Sequence, residues 1–471
     1  MAIVIDIEPA GSKICSTLIP LVLEVTETTT NTTNIIASCY WTDQISLAET
    51  QIGAKYRLAP NLANADKFIF DCSEIFNSLT KYTLNDAPNN FKLGANVTAV
   101  DPLGISNWKD IATWKVRVKF QREYLDATTG LIVLDPTFTN SNYFYIHEGS
   151  PEQKWLTQIV KSNGQTDSVF DAFRLSYQTA GQMEVRRLLT NYPIFISNST
   201  SRSSNVTIHE SEQYLLSFFP NLSIYDDYRI MIGTQNFAGA LINAHSIILN
   251  ESQNLFTACV GFRDLKNSFT PNALEGTDFI NVGSYVVIIQ SSNTVGGGGT
   301  YLNQSTNFNF KVDRSCIKNV GYLRFCFKNM LGGFDMVTSR GKYNKKVKNK
   351  FSEFEQSLGY YSWTESESFG NSNWANENAV RYSVKTQPMK PENAAHFSEM
   401  FSSTDVYLRE ANNSSIKILD NVEALNSINV PYKFNSIFIT AGSQTILKSD
   451  NNLVVLEFEF TMSVNQRNPR Y

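Results

Sequence analysis

Apolar and polar positions alternate along most of this chain. Trp114, Val116, Val118 and Phe120 are interleaved with Lys115, Arg117, Lys119 and Gln121. Phe308, Phe310 and Val312 are interleaved with Asn309, Lys311 and Asp313. Near the C-terminus Val454, Leu456, Phe458, Phe460 and Met462 share one parity, with Glu457, Glu459 and Thr461 on the other. A strand turns successive side chains to opposite faces, so each run predicts a strand with one face inward and one in solvent. That is the pattern of antiparallel sheets covered on one side. Short apolar runs at 21–23, 131–134, 230–232 and 285–289 predict further strands.

Helical signals are few. Asp71-Cys72-Ser73-Glu74 reads as a capping box ahead of Ile75, Phe76 and Leu79. Pro391 stands where a first-turn proline belongs, followed by the apolar stripe Phe397, Met400 and Phe401. A third helix is predicted over 180–190. The expected fold is mainly β: two or three antiparallel β-sandwich-like domains with a few short helices. Loops divide the chain into a β-rich domain at 1–150, a second β-rich domain with long loops at 151–341, and a C-terminal α+β domain at 342–471 ending in strands. The last of these opens on a basic stretch that reads as helical. The second holds four consecutive glycines at 296–299 with no Lys-Ser/Thr after them, so they do not form a phosphate loop.

Length agrees with that division, since 471 residues correspond to about three domains of typical size. Aromatic residues make up 12% and charged residues only 18%, which argues against a largely disordered chain. The formal net charge of -4 argues against a surface that grips nucleic acid throughout. In place of charge the chain carries 47 Asn. Asn and Ser side chains stabilise turns through local hydrogen bonds, which suits β-rich architecture. No apolar run reaches the ~20 residues of a spanning helix, and the acidic start does not read as a signal peptide. No membrane insertion is expected. Six cysteines lie scattered without a CxxC pair, as expected of buried free thiols in a reducing cytoplasm.

Catalytic patterns do not emerge. The four histidines, His147, His209, His245 and His396, form no metal-ligand spacing, and no nucleophile elbow or dinucleotide fingerprint is present. Glu457 and Glu459 could resemble a glycosidase pair, but on an alternating strand they simply share the solvent face. The chain is expected to be non-enzymatic, without cofactor or metal.

Two neighbouring segments stand out. Arg340, Lys342, Lys345, Lys346, Lys348 and Lys350 gather six positive charges into a short stretch. They are candidates for contact with nucleic acid or an acidic partner, weighed against a solvated surface balanced by Glu353 and Glu355. Just before them, a strand enters Asn329-Met330-Leu331-Gly332-Gly333-Phe334-Asp335. On the residues alone this is a tight turn: two glycines supply positive φ, while Asn329 and Asp335 cap freed backbone groups.

The stretch from Phe327 to Asp335 resembles the "aromatic, x, Asn, x, Leu-Gly-Gly-aromatic-Asp" pattern of virion structural proteins of Bacteroidetes phages, the crAss-like phages in particular. Other segments match in the same order: the helix after Asp71, the strands at 214–219 and 229–233, and the helix-then-strand module at 400–408. The resemblance spans about residues 60–471. It implies a β-rich subunit of the neck or tail of a short-tailed virion, after synthesis in the host cytoplasm. Copies would form a ring, a dodecamer to match the portal, around the DNA exit channel. Its partners would be itself, neighbouring portal, ring and tail proteins, and the genome DNA. The alternative is a receptor-binding tail protein, with Trp363 and Trp374 stacking on host surface glycans. A third reading, a tail-associated cell-wall hydrolase, is not favoured by any residue pattern.

Overall fold

The computed structural model describes residues 3–9, 14–29, 31–42, 48–81, 106–107, 113–149, 203–210, 212, 214–218, 227–249, 256–262, 265, 279–292, 302–303, 307–314, 323–355, 371–411, 432–440, 445–448 and 453–462. They form a mainly β protein of several sheets and two α-helices. The predicted helix at 180–190, the glycine run at 296–299 and Trp363 lie outside the described residues, and so do the side chains of Trp374 and His245.

The N-terminal part is a sandwich. A three-stranded sheet of Val4–Ile7, Val22–Thr26 and Lys67–Asp71 covers a larger sheet. The larger sheet orders Ile14–Ser16, Phe144–His147, Thr113–Leu125, Thr32–Thr42 and Glu49–Leu58, and Ile132–Asn140 also pairs with Thr113–Leu125. Leu23, Val25, Phe68 and Phe70 of the small sheet share one core with Ala37, Cys39, Val116, Val118, Phe120 and Phe144 of the large one. Each Leu, Val and Phe side chain among them contributes about 1.5–3 kcal/mol by leaving water. Phe70 meets Phe120 edge to face at 6.5 Å.

Helix α1 (Ser73–Asn77) sends Phe76 into the same core. Its start differs in detail from the expected box. Cys72 stands at the cap without a side-chain bond to the helix, its thiol donating to the Leu21 carbonyl at 3.4 Å, while the Asp71 carboxylate accepts the N–H of Ser73 at 3.0 Å and of Leu21 at 3.1 Å. Asp71 thus opens the helix and ties it to a neighbouring segment.

A second pair of sheets follows. Ser203–His209, Asn307–Asp313, Val282–Ser292, Asp227–Asn236 and Leu241–Leu249 form one, with Leu302–Asn303 on Val282–Ser292. Leu215–Phe218, Phe256–Cys259 and Ser106–Asn107 form the other. Tyr285 stacks on Phe310 at 4.7 Å in their core and donates its hydroxyl to the Val260 carbonyl at 2.8 Å. The buried ring therefore leaves no polar atom unsatisfied. Two pairings depart from the antiparallel expectation: Phe144–His147 with Ile14–Ser16, and Ser203–His209 with Asn307–Asp313, are parallel. Both join segments far apart in sequence, as parallel pairing requires.

The C-terminal part has one eight-stranded sheet. It runs Phe334–Ser339, Leu323–Lys328, Val406–Ala411, Tyr432–Ile439, Val454–Met462, Asn371–Lys385 and Lys342–Glu355, with Thr445–Lys448 on Val454–Met462. Helix α2 (Pro391–Ser402) starts on the predicted proline and packs Phe397 against Phe325 and Phe458. The basic stretch read as helical is instead the strand Lys342–Glu355, paired in register with Asn371–Lys385. Tyr343, Val347 and Phe351 recur every four residues, a spacing that fits both a helical stripe and one face of a strand. The long ladder with a partner strand decides it.

By compactness the chain forms two units. One comprises Met1–Arg314 together with Lys328–Asp335; the other comprises Ser315–Phe327 and Met336–Tyr471.

Candidate functional site

The turn at 329–335 is built from a single side chain outward. The Asn329 amide oxygen accepts the N–H groups of Leu331 and Gly333, both at 3.0 Å. Its NH2 donates to the Asp335 carboxylate at 3.0 Å. Its backbone N–H donates to the Gly333 carbonyl at 2.8 Å. Asn329 is buried, so these bonds recover the cost of taking its amide from water.

Of the two glycines only Gly332 takes positive φ, at 85°. A Cβ there would overlap the Glu148 carbonyl and the His147 ring. Gly333, expected to share that role, contributes backbone hydrogen bonds to Asn329 instead. The turn is also held from outside: His147 Nε2 lies 3.2 Å from the Leu331 carbonyl, and Lys328 forms an ion pair with Glu148. Lys328 is almost fully buried, so its charge depends on that carboxylate. The arrangement is a clamp: the Asn329 amide oxygen holds backbone, whereas Asp335, expected to cap backbone groups, accepts from the Asn329 NH2, and Lys328 pairs with the Glu148 side chain.

The basic stretch sits on an open ladder. Arg340 is half-buried, and its N–H donates to Gln387 at 2.7 Å. Lys342 and Lys345 are exposed. Lys346, Lys348 and Lys350 continue the strand, with their side chains outside the description. Register adds positive charge: Lys342 stands opposite Lys385 and Lys346 opposite Arg381, whereas Lys350 faces Glu377. Like charges directly across a ladder are unfavourable. Lys385 has a counter-ion in Glu457, at 2.5 Å. Glu457 and Glu459 stand on the half-buried parity of their strand, opposite the buried Phe458 and Phe460, as their alternation predicts.

A further cluster lies on the polar face of the large N-terminal sheet. Glu49 accepts from Arg117 at 2.6 Å, Lys119 at 2.6 Å and Tyr143 at 2.7 Å. Burial pushes the Glu49 carboxyl up, but these donors outweigh it and hold the pKa at about 2. Lys115 and Arg117 lie over the Tyr143 ring at 4.7 and 4.6 Å, and Lys119 lies over Tyr40 at 4.2 Å. A carboxylate so supplied with donors is a poor proton acceptor near neutral pH. The cluster sets three cations, Lys115, Arg117 and Lys119, beside one carboxylate. The period-two Lys115, Arg117 and Lys119 were visible in sequence as a polar face; Glu49, 68 residues from Arg117, was not.

Cys15, Cys39, Cys72 and Cys326 are buried and form no disulfide. Burial pushes the Cys39 thiol up to about 12. Among the described residues no helix is long and apolar enough to cross a membrane. Comparison with known proteins finds no family model and no curated sequence that matches this chain.

Proposed function

We propose that this chain is a structural subunit of the neck or tail of a short-tailed phage virion. Copies form a ring between portal and tail around the DNA exit channel, and the subunit works through shape rather than catalysis. The observation that carries this reading is the clamp at 329–335. Apart from the exposed Met330, the described residues with the most specific resemblance to virion proteins are buried, and the Asn329 side chain is spent on the turn's own backbone and on Asp335. Such a motif serves a subunit that must keep its shape under load. The basic ladder at 342–350, with like charges opposed, supports a face for an anionic neighbour, either channel DNA or an acidic surface of the adjoining ring.

Imaging of virions with this protein labelled tests the reading. Label at the neck or tail, in copies matching the portal, is the expected result. Virions without it there, together with a purified chain that stays monomeric, would overturn the proposal. Replacing Lys345, Lys346 and Lys348 with Gln is expected to weaken ring assembly or genome retention. Normal virions from that variant would reduce the ladder to solvated surface.

A further inference from the structure

The ladder between Lys342–Glu355 and Asn371–Lys385 runs past the end of its sheet. Val454–Met462 pairs only with the base of the second strand, from Thr461 opposite Arg381 to Glu457 opposite Lys385. Further out, among the described residues, 371–380 pair only with 347–355. At about 3.4 Å per residue this two-stranded ribbon is about 30 Å long.

Register sorts the ribbon by face. Residues directly opposite on an antiparallel ladder share a face, and the face changes at each step. One face begins with the buried Tyr382 and Val384 and continues through Val347, Phe351 and Val380. The other begins with the exposed Lys342 and Lys385 and continues through Lys346, Lys348, Lys350 and Arg381. Glu377, opposite Lys350, is the acidic residue on this face of the two strands. Glu353 and Glu355, nearest to the lysines in sequence, fall on the other parity and do not share their face. At the base, Glu457 is paired with Lys385 and Glu459 stands opposite Ser383.

Two features select the partner. Lys346, Lys348 and Lys350 recur at every second residue, about 7 Å apart, a regular row that suits a regular row of anions. The uncharged positions of this face are Asn, Ser and Ala, with no aromatic or large apolar residue. Centres of protein interfaces are enriched in aromatic residues and depleted of Lys, so the face is poorly suited to a protein. A nucleic-acid backbone meets both conditions. The major groove of B-DNA admits a two-stranded ribbon, whereas side chains cannot read the narrow one of A-form RNA. We propose that the basic face of this ribbon contacts the phosphates of duplex DNA. Phosphate contacts carry no sequence information, so binding is independent of sequence. The inference deepens the ring reading and rests on it for the source of the DNA.

The test titrates the full chain with a short fluorescent duplex of mixed sequence over a range of salt. Replacing Lys346, Lys348 and Lys350 with Gln removes three phosphate contacts, so the log–log salt slope should fall by about 2.7. At about 0.1 M salt that is a loss of roughly 500-fold in affinity. The variant Lys346→Arg, Lys348→Arg, Lys350→Arg keeps the charge and should bind as the wild type does. Lys345→Gln, on the other parity, should leave the slope near the wild-type value. Absence of duplex binding, an unchanged slope in the Gln variant, or equal losses in Lys345→Gln and Lys348→Gln would each overturn the inference. Tighter binding of polyglutamate or of single-stranded DNA than of duplex would do so too. Two outcomes separate it from the ring reading. Labelled rings in virions, from a chain that does not bind duplex, would sink the ribbon and spare the ring. Duplex binding through the ribbon by a protein absent from neck and tail would do the reverse.

Discussion

Gly332 shows how much one position can carry. Its φ excludes most side chains, and the space a Cβ would need is already filled by Glu148 and His147. Gly332→Ala is expected to cost about 3 kcal/mol of stability, readable by urea denaturation. Glu49 makes a different prediction. Its pKa of about 2 lies below the ordinary 4.5. A lowered carboxylate stabilises the fold above its unfolded pKa and loses that contribution as pH falls through the folded value. Melting temperature should therefore fall between about pH 4.5 and 2 in part because of Glu49. Glu49→Gln should melt lower near neutral pH and with a shallower slope across that window. An unchanged slope would remove Glu49 from the account. The Asn-Gly-Gly turn was legible because its residue types serve few other purposes. The neighbours that make Gly332 irreplaceable lie far away in sequence and left no local signal.

At the scale of elements, alternation located the strands well where polarity followed it, as in Val454–Met462. It failed where spacing was ambiguous, as in Lys342–Glu355, whose apolar residues recur every four positions. The cross-strand register of that ladder is itself testable. Lys342 faces Lys385, so Lys342→Glu replaces a like-charge pair by an opposite one. Stability should rise by about 0.5 kcal/mol in chemical denaturation. Binding to an anionic partner, if this face serves one, should weaken in the same variant. Stability and binding moving together would contradict a functional reason for the charge. The run at 131–134 was legible as a strand, but its exposure was not: an apolar run reads the same whether a core or solvent covers it.

For the whole molecule the informative feature is that the first compact unit includes Lys328–Asp335 in addition to Met1–Arg314. Within that unit Lys328 pairs with Glu148, and the Leu331 carbonyl meets His147. A chain ending at residue 314 would lack Lys328 and the Leu331 carbonyl, removing the cation paired with Glu148 and one contact of the His147 ring. Its melting temperature is expected to lie roughly 5–10 °C below that of the same unit in the full chain, by calorimetry. Equal melting temperatures would show that the segment contributes little to the unit. Loop composition could place breaks along the chain, but it could not show a short segment belonging with residues far upstream.

Period, turn chemistry and composition were enough to establish a β-rich chain, the two described helices and a tight turn at 329–335, because these follow from local sterics and side-chain hydrogen bonding. Folding in three dimensions settled which residues meet: Gly332 with His147 and Glu148, Glu49 with Arg117, Lys119 and Tyr143, Lys342 with Lys385. It also determined which apolar residues are covered and which, like Leu131 and Ile132, are left open. Those outcomes depend on long-range pairing, whose register no local pattern encodes.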